Sequence, residues 1–216
     1  MKTKTSPKEA VFRKAFFVIL LLILLPAFWK TFQPSPTAPI APVPAQWGSF
    51  GKIPDFSLTE RSGKKITASD LAGRVWIADF IFTRCAGPCP LMSNRMKEIQ
   101  KQLAGEPDVR LVSFSVDPGH DTPKVLKKYA ERYEADRDRW LFLTGDQSQI
   151  YRLAEQHFHL GVEEIPVEER QAADQPVRHS TKFVLVDKQG RVRGYYDSEN
   201  PQSTEQLIKD VKQLSS

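Results

Sequence analysis

Val75-Trp76-Ile77-Ala78-Asp79-Phe80-Ile81-Phe82-Thr83-Arg84-Cys85-Ala86-Gly87-Pro88-Cys89-Pro90 is the stretch that decides the fold. Its first half, Val75 to Phe82, is rich in β-branched and aromatic residues and reads as apolar on both faces, the pattern of a central strand. Pro90 then opens a run in which Leu91, Met92, Met96, Ile99 and Leu103 keep helical spacing up to Gly105. Cys85 and Cys89, the only cysteines of the chain, stand at this strand-to-helix junction. Two thiols at that spacing can close a disulfide or hold a soft metal ion between two thiolates.

Outward from the junction the same alternation continues. Phe56 to Thr59 and Lys65 to Thr67 read as a short strand pair around Ser62-Gly63. Val109 to Val116 is a second buried strand, and Thr122-Pro123 starts a helix with an N-cap and a proline at its first position. Trp140 to Leu143 is a strand, Gln149 to Leu160 a helix closed by Gly161, and Thr181 to Val186 with Arg191 to Tyr196 a hairpin around Asp187-Lys188-Gln189-Gly190. Ser203 caps a last helix to Leu214. Strands alternating with helices, then a hairpin and a helix, predict an α/β sandwich with a mixed sheet and flanking helices. Glu163 to Arg178 matches no element, and a loop of that length inside a domain is functional or disordered.

The N-terminal part has a different character. Of 31 basic and 26 acidic residues, six basic and one acidic fall within residues 1–30, so the remaining 25 and 25 cancel. The globular part therefore has no electrostatic footprint for nucleic acid. Ala15 to Trp29 is continuously apolar, about 22 Å as a helix, and Phe12, Phe32 and the snorkelling Arg13, Lys14 and Lys30 extend it. A cleaved signal and an uncleaved anchor both fit, and the lack of a small-x-small site close behind the apolar run favours the anchor. The expected organisation is a cytoplasmic basic segment (1–14), a transmembrane signal anchor (15–32), a Pro-rich linker (33–46) and a domain (47–216). The charge bias places that domain on the periplasmic side of a bacterial inner membrane. The linker carries prolines at 34, 36, 39, 42 and 44 and spans about 40 Å if extended. An oxidising compartment permits a disulfide.

Parallel strands of an α/β sheet end at one edge, where sites form. Cys85 follows one such strand and Asp117 to His120 follow the next. If the strand near Thr181 runs antiparallel, Arg178-His179-Ser180 falls at the same edge. Cys85, Cys89 and His179 are then candidate metal ligands: two thiolates and an imidazole form a soft set of low coordination number that suits copper. Structural zinc would want a fourth ligand. The helix N-terminus and Arg84 are expected to favour thiolate. A plain structural disulfide is the blander account of Cys85 and Cys89, but it closes a very short loop and so restrains the unfolded chain little. His157 and His159 point different ways on one helix and read as packing or surface residues. His120 sits in a turn that Asp117-Pro118-Gly119 already explains, and Met92 and Met96 read as core.

These residues resemble the SCO/SenC family of copper-handling proteins. The landmarks are Asp55-Phe56-Ser57-Leu58, Phe82-Thr83-x-Cys85-x-x-x-Cys89-Pro90, Val116-Asp117-Pro118-x-x-Asp121-Thr122-Pro123 and His179-Ser180, across roughly residues 50–214. The resemblance implies a thioredoxin-like fold, an N-terminal membrane anchor, and copper held by Cys85, Cys89 and His179. It also implies delivery of copper to, or reduction of, the dinuclear copper site of cytochrome oxidase subunit II or another copper protein. Ala86-Gly87-Pro88 departs from the family, whose members often carry an acid between the cysteines. Two further readings stand beside the copper chaperone. A thiol–disulfide oxidoreductase would use Cys85 and Cys89 as its redox pair, against the more usual two-residue spacing of such enzymes. A peroxiredoxin-like peroxidase would want threonine three residues before its cysteine, whereas Thr83 is two before Cys85.

Overall fold

Every residue of Val75–Ile81 (β3) is buried, as expected of a strand flanked by strands and covered on both faces. In the computed structural model, which describes residues 48–165 and 177–215, β3 runs parallel to Val109–Ser115 (β4), with Val75 opposite Val109 and Ile81 opposite Ser115. β4 in turn runs parallel to Trp140–Thr144 (β5). On the other flank β3 pairs antiparallel with Lys182–Val186 (β8), which pairs antiparallel with Val192–Asp197 (β9). Ser57–Glu60 (β1) and Lys65–Thr67 (β2) extend the far edge, giving a seven-stranded order β2-β1-β5-β4-β3-β8-β9. This is a mixed sheet with flanking helices, the layered arrangement expected from the alternation of elements.

The helices are Ala68–Leu71 (α1), Cys89–Gln102 (α2), Pro123–Arg132 (α3), Gln147–Arg152 (α4) and Pro201–Ser215 (α5). α2 begins at Cys89 and ends before Gly105, packing Met92, Met96 and Ile99 inward. α3 starts as its sequence predicts: the Thr122 hydroxyl accepts from the Val125 amide. α5 does not. Its cap is Asn200, whose Oδ1 accepts from the amides of Gln202 and Ser203, because Pro201 already takes the first helical position. The Ser203 hydroxyl instead accepts from the Asp197 amide and ties the helix to β9.

The expected helix from Gln149 to Leu160 is also broken. After Arg152 it widens into a π-turn over Leu153–His157, with the Phe158 amide donating to the Leu153 carbonyl, and reverses at His159 (φ 51°) rather than at Gly161. The extra residue swings Phe158 into the core. There it meets Trp76, Phe80 and Phe114 at ring centroid separations of 5.9, 5.3 and 5.6 Å. Aromatic burial on that scale outweighs the poorer hydrogen-bond geometry of a wide turn.

The stretch read as having no element forms strand pairing at its two ends. Val162–Glu164 (β6) pairs with Val177–His179 (β7), Val162 opposite His179. Residues 166–176 lie outside the described residues, as do the proposed anchor and linker segments. Among the described residues no helix is long and apolar enough to cross a membrane.

Candidate metal and thiol site

The C-terminal ends of β3 and β4 and the approach to β8 meet at one edge of the sheet. The first donor arrives directly from the strand. Beyond Phe82 the chain turns, with the Cys85 amide donating to the Phe82 carbonyl. Pro88 then enters helical geometry as N-cap, and Cys89 becomes the first residue of α2. No side chain caps this helix. The backbone amides of Gly87 and Cys89 at this helix start favour the charged form of Cys85. Cys85 is 8% exposed and Cys89 fully buried, so the pair presents one sulfur to the rim and keeps one beneath it.

The imidazole comes from β7. Pairing with β6 and the Ser180 amide's bond to the Gly161 carbonyl hold the backbone on either side of His179. The His179 ring packs edge-on against Phe82 at 5.6 Å. Its Nδ1 lies 3.0 Å from the Ser180 carbonyl oxygen, which can only accept, so Nδ1 carries the proton. The Nε2 lone pair is therefore free for the sulfurs, and it stands 3.1 Å from the Cys89 Sγ. The donor atoms of Cys85, Cys89 and His179 all lie within 4.8 Å of one another. The structure thus brings together the three candidate residues that the chain separates by ninety positions.

Both cysteines are free thiols in this structure, so the site is described in its reduced form. Their acidities are driven apart. A hydrogen bond from Cys89 leads in holding the Cys85 thiol far below its usual range, helped by the backbone amides of Cys89 and Gly87. The same contact, with burial and the neighbouring Cys85 charge, pushes Cys89 up. Of the two, Cys85 is the more acidic thiol. Arg84 Nε donates to Asp117 Oδ2 at 2.7 Å.

The other sequence candidates fall elsewhere. His120, exposed, clusters with Asp117 and Asp121. Asp121 is a fully buried carboxylate that accepts from the Thr83 amide at 3.0 Å, the Thr83 hydroxyl, the Ser115 hydroxyl at 2.6 Å and His120 Nδ1 at 3.0 Å. It staples the loop after β3 to the end of β4 and so sets where Cys85 stands. Its hydrogen bonds depend on Thr83, far away in sequence. His157 is half-buried in the π-turn, and His159 Nε2 contacts the Phe50 carbonyl at 3.2 Å, so neither joins the sulfurs. Met92 and Met96 are core. Asp79 was missed altogether: the reading of β3 as apolar on both faces passed over an acid in mid-strand, and that acid was the available signal.

A thioredoxin-like sandwich with two thiols and an imidazole converging at the strand ends defines a dithiol protein built to engage a soft metal or a disulfide. The SCO1/SenC family profile matches residues 48–216, and the chain belongs to that family. The SCO1 protein homolog of Bacillus subtilis is 39% identical over 166 residues, covering 76% of this chain and 83% of that one. A candidate copper-binding protein of Stutzerimonas stutzeri is 33% identical over 145 residues, covering 66% and 68%. The solved structure of BsSco, described as a Sco-family cytochrome c oxidase assembly protein with a disulfide switch, superposes with a TM-score of 0.64 at 40% identity, covering 77% and 94%.

Proposed function

We propose that this protein is a membrane-anchored copper chaperone. Copper is its cargo, Cys85, Cys89 and His179 are the ligands, and the dinuclear copper site of cytochrome c oxidase subunit II is the client. The observation that carries the reading is the convergence of two sulfurs and one Nε2 within 4.8 Å. That donor set fits a soft ion of low coordination number. Cys85 at the rim leaves a side from which a client's ligand can enter, and the backbone bond to Nδ1 fixes the tautomer that ligation requires. The candidate copper-binding relative and the oxidase-assembly description of BsSco support the same assignment. The basic segment 1–14 and apolar segment 15–32 support a single-pass anchor with the domain on the periplasmic side of the inner membrane. Anaerobic titration of the reduced chain with Cu(I) tests the ligands. His179→Ala is expected to weaken binding by tenfold or more, and an unchanged affinity and spectrum would remove His179 from the set.

The divergent acidities of the two thiols favour a second role for the same residues. A Cys85 thiolate can attack a client disulfide, forming a mixed disulfide and releasing one client thiolate. Cys89 then displaces the second client sulfur and closes a Cys85–Cys89 disulfide. Two electrons pass to the client, whose two sulfurs leave reduced and ready for copper. Cys89→Ser is expected to trap the mixed disulfide on non-reducing gels.

A further inference from the structure

Asp79 is the strangest residue of the domain. It lies in the middle of β3, six residues before Cys85, fully buried, between Ile77 and Ile81 on the same face of the strand. Among the described residues neither carboxyl oxygen has a hydrogen-bond partner. Ser113 is its register partner on β4, but the Ser113 oxygen receives the Trp140 indole N–H at 2.9 Å, and its hydroxyl eases the Asp79 charge without reaching hydrogen-bond geometry. A buried acid with no partner is expensive, and its place on a central strand gains nothing for the fold. The titratable groups that feel it belong to the site. His179 favours its ionised form, and its charge in turn disfavours a Cys89 thiolate.

We propose that Asp79 is a positioning residue for the metal's oxidation state: a buried, unpartnered negative charge on the strand that leads to Cys85, which favours Cu(II) over Cu(I) in the set of Cys85, Cys89 and His179. The inference rests on the copper reading above. Two thiolates and a neutral imidazole make a neutral complex with Cu(II) and a singly negative one with Cu(I). A carboxylate in the same low-dielectric compartment repels the second and not the first. Burial alone pushes the Asp79 carboxyl up to about 7 in the metal-free protein, so at pH 8.5 the charge is present.

The test compares Cu(I) and Cu(II) dissociation constants of the full chain, Asp79→Asn and Asp79→Glu at pH 8.5, with metal-free melting curves to confirm folding. Asp79→Asn is expected to shift the Cu(II)/Cu(I) preference toward Cu(I) by tenfold or more, seen independently as a rise of about 59 mV or more in the one-electron potential. Asp79→Glu, which restores the charge, is expected to stay near the parent. Asp79→Leu serves as a second neutral variant should Asp79→Asn fail to fold. A parent that binds copper with the same preference in both neutral variants overturns the role of Asp79 and leaves the copper reading standing. A parent that binds neither ion overturns both.

Discussion

Asp121 and Asp79 are both fully shut away from solvent, one in the loop after β4 and one within β3, and their surroundings are opposite. Asp121 accepts four hydrogen bonds, including two hydroxyls and a backbone amide, which replace the water it gave up. Asp79 accepts none. Burial alone therefore does not tell what a buried acid does; the donors around it do. The first is a staple whose charge is balanced locally. The second holds an unbalanced charge, and the groups that sense it are those of the thiol and imidazole site.

The largest expected effect breaks the staple. Asp121→Ala leaves the Thr83 amide and the Ser115 hydroxyl without their acceptor, and should cost about 3–5 kcal/mol in urea unfolding. A loss below about 1 kcal/mol would show that the loop after β3 does not depend on it. Asp79→Asn should act in the other direction, and only in part of the pH range. The native carboxyl, raised from 3.8 to about 7, holds a proton that the unfolded chain has already released. The Asp79 contribution is thus most favourable below about pH 4, falls as pH rises toward about 7, and is level above. Between pH 5 and pH 8 the parent should lose about 2–3 kcal/mol that Asp79→Asn keeps. Parallel stability–pH curves for the two would mean that folding does not raise the Asp79 carboxyl.

A smaller effect is expected deeper under α2, where the buried Ser93 and Tyr129 hydroxyls meet at 2.8 Å. Tyr129→Phe should cost about 1 kcal/mol, with the Ser93 hydroxyl turning to a carbonyl of its own helix. A neutral result would remove this pair from the supports of α2. The smallest concerns Arg84, whose carboxylate pair is half-exposed. Arg84→Ala should change stability by less than about 1 kcal/mol. It should also leave the low pH threshold of Cys85 alkylation in place, since amides and neighbouring thiol, not the guanidinium, hold that thiol down. A threshold displaced upward by a full unit would return Arg84 to the thiolate's supports.

Much of this site was legible beforehand. Val75 to Ile81, the helix after Cys89 and the Asp187–Gly190 hairpin follow from short-range pattern, because side-chain periodicity and turn residues act within a few positions. What escaped the reading had distant causes. The π-turn exists because Phe158 reaches Trp76 and Phe80. Arg84 pairs with Asp117, which lies on the next strand's loop. The pairing of Val162–Glu164 with Val177–His179 joins the ends of a stretch with no pattern of its own.

By itself the sequence determined the class of fold, the strand-to-helix placement of Cys85 and Cys89, and His179 as a candidate partner for them, since each rests on local propensity and the edge rule for parallel strands. Only the tertiary structure decided which nitrogen of His179 faces sulfur, which cysteine is the acidic one, and that the Asp79 carboxyl is buried without a partner among the described residues. Tautomer, acidity and solvation are set by atoms that approach across the fold, and no stretch of chain read alone contains those distances.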